Sequence, residues 1–276
     1  MRLVSFNING IRARLHQLRA IVDKHDPEVI ALQETKVADD EFPREAVEEL
    51  GYAVHIHGQK GHYGVAVMTR NTPGKVVTGL PWDGCARTRE DDQRRFMAVE
   101  YPLPDGKRLR FINGYFPQGG SRDDTLKFRG KEQFYAGVQR YLQEHCDPDD
   151  PVMVAGDMNV APVDLDIGIS KENKERWLAR GKSSFLPEER AWLNAMLGWG
   201  LADTYRVVHP TEDARFSWFD YRIRGFERKP KRGLRIDLLL ASASLTARLT
   251  EAGIDYDIRS MDKPSDHCPV WAQFDL

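Results

Sequence analysis

Short apolar runs, each stopped by an amide or an acid, recur along this chain. The run at 3–6 ends at Asn7, with Asn9-Gly10 just beyond, and the run at 29–32 ends in Gln33-Glu34-Thr35. Between them Ile11, Leu15, Leu18, Ile21 and Val22 recur at spacings of three and four, the period of an amphipathic helix. The pattern predicts a βαβ-like opening unit with Asn7 and Glu34 at its two strand tips. A third run, 152–155, lies between Pro151 and Gly156 and reads as a buried strand. Asp157 and Asn159 follow it, two apart, so an extended backbone there would point both side chains the same way. An Asx-turn closing the strand is the competing reading.

From Tyr52 the period becomes two: Val54 and Ile56 alternate with His55 and His57, and 65–68 is apolar. Residues 96–101 and 108–112 read as strands around the turn signal Pro104-Asp105-Gly106. The second ends in Asn113-Gly114-Tyr115 and runs into a loop, Pro117-Gln118-Gly119-Gly120. Phe128, Phe134, Tyr135, Val138, Tyr141 and Leu142 predict a long amphipathic helix ending near His145. A short acidic helix is expected at 41–50, and Pro187-Glu188-Glu189 opens another with the stripe Trp192, Leu193, Met196, Leu197. Residues 164–182 are charged and poorly periodic. Residues 215–221, RFSWFDY, are dense in aromatics. A strand at 236–241 carries Asp237 near its start, and Ser265-Asp266-His267 precedes the last strand, 270–274. Helical and strand periods are mixed, with no repeat and no linker. The expectation is one α/β domain of layered sheets and helices over 1–276.

Composition narrows the classes. The 276 residues are 41% hydrophobic, enough for a large core, and no apolar run approaches a membrane span. The first residues, MRLVSFNING, lack the pattern of a signal peptide. Cys85, Cys146 and Cys268 are scattered and odd in number, which fits a reducing, cytoplasmic setting and argues against a disulfide or zinc framework. A net charge of −2 advertises no general affinity for nucleic acid, so any such binding rests on local patches.

The polar groups at the predicted strand tips are Asn7, Glu34, Tyr115, Asp157, Asn159, Asp237, Asp266 and His267. Carboxylates that face one another need a cation or a proton between them. An oxygen-rich set without cysteine suits Mg²⁺ or Mn²⁺, with Glu34 as the principal ligand. An Asp–His pair orients an imidazole, and Asn and Tyr can donate to a phosphoryl oxygen. Together they match metal-assisted phosphodiester hydrolysis. A Ser-His-Asp hydrolase is the competitor, but no G-x-S-x-G elbow is present, and Ser265 beside Asp266-His267 is adjacency rather than geometry. Neither G-x-G-x-x-G nor a Walker A loop occurs.

The motifs SFNING, LQETK, GHYGVA, NGYFPQG, GDMN, DLDIG, FLPEER, DTYR, FSWFDY, RGLRIDLLLAS and KPSDHCPVW, in that order, resemble the exonuclease III family of apurinic/apyrimidinic endonucleases over essentially the whole chain. The resemblance implies a four-layered α/β sandwich: two packed mixed β-sheets flanked by helices. It implies a Mg²⁺-dependent DNA-repair nuclease that cuts 5′ of abasic sites, degrades duplex DNA from 3′ ends and clears 3′ blocking groups. By position, Asn7, Glu34 and Asp266 fall in the metal region, with Asp157, Asn159 and His267 beside it. Tyr115 corresponds to the tyrosine on the phosphate, and Asp157 and Asn159 to the pair that handles water and phosphate. Asp237 and His267 correspond to the hydrogen-bonded Asp–His pair. Asn9 stands where some members carry aspartate, a departure that bears on a second metal. The expected partner is double-stranded DNA with abasic sites or 3′ ends, bound by a monomer without a membrane. The same fold also carries phosphatases acting on other substrates and silent nucleic-acid-binding regulators.

DNA contact is assigned to Gln118, Trp218, Arg222, Arg224, Leu234 and Ile236. The resemblance implies that Trp218, with Leu234 and Ile236 helping, lines a small apolar pocket for a base-free sugar, although core packing is the default role of an aromatic. The basic segment Arg222, Arg224, Arg228, Lys229, Lys231, Arg232 and Arg235 would follow a bent backbone, against the alternative of a solvated loop. Arg87, Arg89, Arg94 and Arg95 form a second patch, weakened by Glu90, Asp91 and Asp92. His55, His57 and His62 lack a third zinc ligand at a recognisable spacing. Cys268, beside His267, reads as buried packing.

Overall fold

The structure, a computed structural model, describes residues 1–80 and 93–276. One six-stranded sheet has β1 (Arg2–Asn7) at its centre, parallel to β2 (Val29–Gln33) and antiparallel to β12 (Val270–Phe274). Its order is completed by β11 (Leu249–Ile254), β4 (Val65–Thr69) and β3 (Ala53–His57). The second six-stranded sheet runs β5 (Val76–Thr78), β6 (Phe96–Pro102), β7 (Arg108–Tyr115), β8 (Val152–Asp157), β10 (Asp237–Ser242), β9 (Leu201–Asp203). Both are mixed: β7 and β8 pair in parallel, β8 and β10 antiparallel.

Period two sorts each strand between layers. Leu3, Val29, Ala31, Leu109, Phe111, Met153, Ala155, Leu239 and Val270 share one buried cluster between the sheets. The alternate residues of the first sheet, Val4, Phe6, Ile30 and Leu32, pack with Leu18 and Ile21 of α1 (Leu15–His25) and Val47 of α2 (Arg44–Glu48). Ile112, Val152, Val154, Leu238 and Leu240 of the second sheet pack with Tyr135, Val138 and Leu142 of α3 (Thr125–His145) and Leu193 and Met196 of α5 (Pro187–Gly198). Helix, sheet, sheet, helix: the sandwich expected from the motifs is the one observed.

The opening βαβ unit, α3, α5 and the long strands match the periodicity. Other elements were not visible in it. The charged stretch 164–182 holds α4 (Lys171–Ala179), capped by Ser170 Oγ accepting from Asn173 N–H. Short α6 (Thr204–Val208), α7 (Ala243–Thr246) and α8 (Tyr256–Arg259) also lie outside any long apolar period. No helix among the described residues is long and apolar enough to cross a membrane.

Candidate active site

The site opens at one end of the inter-sheet layer, because the inner-face series of several strands end in polar residues. On β1 the series is Leu3, Ser5, Asn7; on β7, Phe111, Asn113, Tyr115; on β8, Met153, Ala155, Asp157. β10 runs the other way and starts at Asp237. The register sets Tyr115 beside Asp157 across the parallel pair and Asp157 opposite Asp237 across the antiparallel pair. Gly156 permits the close strand approach: its φ is 146°, and a Cβ there would lie 1.9 Å from Gly114 O.

Asp157, Asp237 and His267 are all buried. His267 Nδ1 donates to Asp237, 2.9 and 3.0 Å from its two oxygens, which fixes the ring and turns Nε2 toward Asp157 Oδ2 at 3.8 Å. That separation exceeds a hydrogen bond, so both groups can turn to an oxygen seated beside them on the cleft side. Asp157 is otherwise tied down, accepting from Asn7 Nδ2 at 3.0 Å and Asn159 N–H at 3.0 Å. Burial, together with the Asp237 charge and against the pull of His267, raises its carboxyl to about 7. Burial lowers the His267 imidazole, but Asp237 and Asp157 outweigh it and hold the ring up to about 10.

The strand-end reading and the Asx-turn reading are thus both realised at Asp157. The expectation of two parallel side chains is corrected. The strand stops at Asp157, Asn159 takes a φ of 52°, and its Nδ2 donates to Phe116 O at 2.9 Å. Beneath it, fully buried Lys131 of α3 donates to Asn159 O at 2.8 Å and pairs with Glu189 of α5 at 2.5 Å, a support no pattern in the sequence marked.

Glu34 follows β2 with a φ of 59°, and its carboxylate meets Lys36 Nζ at 2.9 Å. Lys36 also donates to Asn9 Oδ1, and Asn9 Nδ2 donates to Asp266 Oδ1 at 2.7 Å. The second Asp266 oxygen accepts from Trp218 Nε1 at 3.0 Å. Burial would raise the Asp266 carboxyl, but the His267 charge and these two donors hold it below the usual range. Tyr115 is pushed well up by burial and by nearby Glu34, so its O–H stays a donor at neutral pH. The Arg95 guanidinium lies over its ring at 4.5 Å. The donor chemistry fits a hard cation: Glu34, Asp266 and Asn7 offer oxygens, and an ammonium already bridges Glu34 and Asn9.

A cleft of about 550 Å³ joins these groups, lined by Glu34, Tyr115, Asp157, Asn159, Asp266 and His267 and also by Gln118, Trp218, Arg222 and Ile236. Trp177, Lys182 and Ser184 also line it and escaped the sequence reading; so do Asp220 and Tyr221, which the sequence marks only as part of the aromatic stretch 215–221. Trp177, an isolated aromatic in a charged helix, was the available signal. Its ring stacks on Phe185 at 5.5 Å, with Lys182 Nζ 3.5 Å over the ring centre.

Three further expectations are corrected. Leu234 offers no surface to DNA: it is 1% exposed, packed under Ala161 and Phe185, and exchanges backbone hydrogen bonds with Trp218. Arg235 cannot follow a DNA backbone with the rest of the basic segment: it is buried on Asp166 and Asp203. Arg95 is buried over Tyr63 and Tyr115, whereas Arg87 and Arg89 lie outside the described residues. Arg222 lines the cleft and Arg224 is exposed beside it. Ser265 Oγ donates to Asn7 O and accepts from His267 N–H, so it braces the loop and is committed away from any nucleophilic role. Among the described residues, the histidines of β3 join no group of metal-type donors; His57 Nδ1 meets Arg94 Nη1 at 3.1 Å.

Residues 4–267 match the Endonuclease/Exonuclease/phosphatase family. The chain is 53% identical over 274 residues to exodeoxyribonuclease III of Haemophilus influenzae, covering 99% of this chain and 100% of that protein. Among solved structures, the 3′ phosphatase NExo from Neisseria, bound to a product DNA hairpin, is similar with a TM-score of 0.87 and 33% identity over the full length of both chains. An AP endonuclease from Archaeoglobus fulgidus is similar with a TM-score of 0.88 and 31% identity, again over both full lengths.

Proposed function

The chain belongs to the Endonuclease/Exonuclease/phosphatase family, in its exonuclease III branch, and from that premise we propose how its cleft hydrolyses DNA. It is a DNA-repair nuclease, a hydrolase of phosphodiesters. Incision 5′ of abasic sites, 3′-to-5′ exonuclease action and removal of 3′ blocking groups are one reaction, water attacking phosphorus, at differently presented phosphates. The whole of 1–276 acts as one domain in this reading, as a monomer in the cytoplasm.

The observation that carries the mechanism is the 3.8 Å gap between Asp157 and His267, with each group otherwise anchored. Asp157, raised to about 7, is a base poised near neutral pH and takes the proton of a water bound beside it on the cleft side. The His267 imidazolium, kept charged by Asp237, donates from Nε2 to a phosphate oxygen. Tyr115 O–H donates to a second oxygen, and Asn159 completes the cradle. Glu34, with Asp266 and Asn7, would hold Mg²⁺ or Mn²⁺, which supplies positive charge against the charge that develops on the phosphate. Trp218 and Ile236 form the apolar wall. It favours a sugar without a base, because an abasic nucleotide leaves the helix without the few kcal/mol of unstacking that a normal one costs. Arg222 and Arg224 meet the flanking phosphates.

The test is a gel assay of one preparation on an abasic duplex, a recessed 3′ end and a 3′-phosphate. Turnover of all three with Mg²⁺ and none with EDTA is expected. A protein that binds the abasic duplex but cuts none of them would be a silent binder on this fold.

A further inference from the structure

Between the sheets, one step below the cleft, the apolar layer is interrupted by amides and a hydroxyl: Ser5 on β1, Gln33 on β2 and Asn113 on β7, all fully buried. Gln33 Nε2 donates to Ser5 Oγ at 3.0 Å within its own sheet and to Asn113 Oδ1 at 2.8 Å in the other. Asn113 Nδ2 returns two bonds to the first sheet, to Leu32 O and Ala66 O, each 2.9 Å. Three hydrogen bonds therefore cross between the sheets at one level. The layer around them is Leu3, Ala31, Phe111 and Ala155.

The apolar contacts are non-directional and leave neighbouring alignments of one sheet on the other close in energy. Hydrogen bonds with fixed lengths and angles do not. The cluster is not arranged for stability alone, because Gln33 Oε1 is buried with no partner among the described residues, a cost that an apolar layer would lack. Its position matters as well. Ser5 precedes Asn7 on the inner face, Gln33 precedes Glu34, and Asn113 precedes Tyr115 on the inner face. The site is divided between the sheets: Asn7, Glu34 and the Asp266–His267 loop come from the first, and Tyr115, Asp157 and Asp237 from the second. The bonds His267–Asp237 and Asn7–Asp157 exist only while the two halves are aligned.

We infer that Gln33 and Asn113 are positioning residues, an amide clasp that fixes the register of the two sheets and so holds the halves of the catalytic cluster at reacting distance. The inference rests on the proposed reading of the cleft.

Gln33→Met removes the clasp with little change of volume, and Gln33→Met/Asn113→Leu replaces both partners with apolar groups. The readouts are kcat and KM on an abasic duplex, binding of that duplex in EDTA, and melting temperature. Both variants are expected to fold, the double one melting no lower than the single. kcat should fall about tenfold or more, since misplacement on the order of 1 Å is enough. KM and binding should stay within about threefold of wild type, as expected where only transition-state contacts are lost. The exchange Gln33→Asn/Asn113→Gln, which returns an amide to each sheet, should regain kcat. Should the double variant fail to fold, Gln33→Met alone decides on the same criterion. The clasp is overturned by a folded Gln33→Met protein with wild-type kcat, or by losses of kcat that merely track melting temperature across the three variants. An active wild type with an insensitive Gln33→Met sinks the clasp alone; an inactive wild type sinks the reading of the cleft and the clasp with it.

Discussion

Two buried charge clusters lie within a few residues of each other, and they are built on opposite plans. In one, Arg235 spans Asp166 and Asp203 with bonds of 2.6, 3.0, 3.1 and 2.5 Å, and Arg206 adds a second guanidinium on Asp166. Two cations meet two anions and every carboxylate is paired. In the other, two carboxylates share one imidazole, and Asp157 and His267 stop short of contact at 3.8 Å. The first is closed and lies behind the cleft wall, tying Arg235 between Leu234 and Ile236. The second is open to the cleft and short of one positive charge. Burial alone therefore does not separate structure from function. What separates them is whether the charges are already satisfied or still need a substrate, a proton or a cation.

Breaking the open cluster should have the largest effect on rate. Asp237→Asn or His267→Ala should each lower kcat on an abasic duplex by about 10³-fold or more while DNA binding persists, because each removes the orienting pair of a proton-handling unit. The double variant should be little worse than the worse single one. Fully multiplicative losses, measured under single-turnover conditions, would show that the two act separately.

Breaking the closed cluster should instead cost stability. Arg235→Met leaves two buried aspartates facing one remaining arginine and should lose about 3–5 kcal/mol in urea unfolding, with little change in kcat for the folded fraction. A stable Arg235→Met protein with low kcat would move this cluster to the catalytic side of the comparison.

The same contrast has a pH signature in metal-free protein. The folded pKa of His267 is raised above its unfolded value, so its stabilising contribution is full below about 6.5 and is lost as pH rises through about 10. Asp157 is also raised, so its ionisation is absent as a cost below about pH 4 and complete above about 7. Both slopes run downward with rising pH. Urea midpoints should be lower at pH 9 than at pH 6 in wild type and differ less in Asp157→Asn/His267→Gln, which removes both coupled groups; an identical difference would contradict the assignment.

Smaller effects sharpen the rim of the open cluster. Glu34→Gln should raise the Mg²⁺ needed for half-maximal rate by about tenfold or more, with partial recovery at high Mg²⁺, because an amide is a poorer ligand than a carboxylate. An unchanged metal titration would remove Glu34 from the metal. At Trp218 two roles overlap: the ring walls the cleft and Nε1 holds Asp266. Trp218→Phe keeps most of the wall and loses the hydrogen bond, whereas Trp218→Ala loses both. Abasic-site cleavage should fall several-fold more than 3′-phosphate removal in the alanine variant, and the two should fall together in the phenylalanine variant. Equal losses in both, with a large drop in melting temperature, would return Trp218 to the core.

Much of the open cluster was legible in the sequence because it is written in strand periods. Asn7, Tyr115, Asp157 and Asp237 each stand at the end of an apolar run, where period two fixes the face. The closed cluster was not legible. Arg235 sits in a run of basic residues that reads as a DNA-facing segment, and its partners Asp166 and Asp203 are far away in sequence. Lys131 is hidden for the same reason, a charged residue whose burial depends on Glu189, met only through packing of α3 on α5. Helix α4 escaped because its nine residues, KENKERWLA, carry little apolar stripe and include no fully buried side chain. β11 escaped because LTEAGI is an exposed edge with only Ala252 and Ile254 inside. Leu234 was misplaced because it stands two residues from Ile236 and period two puts both on one face, yet Leu234 is sealed in the cluster with Ala161 and Phe185 and only Ile236 reaches the cleft.

Asp157, anchored on one side and open on the other, is the group proposed to take the proton of the attacking water. Asp157→Asn keeps the shape and removes the base. Single-turnover cleavage of an abasic duplex by the wild type and by Asp157→Asn, at saturating protein with Mg²⁺ and then with EDTA, tests it directly. The wild type should cut 5′ of the abasic site, EDTA should abolish the cut, and Asp157→Asn should be slower by about 10³-fold with binding retained. Cleavage by Asp157→Asn within a few-fold of the wild-type rate would contradict it.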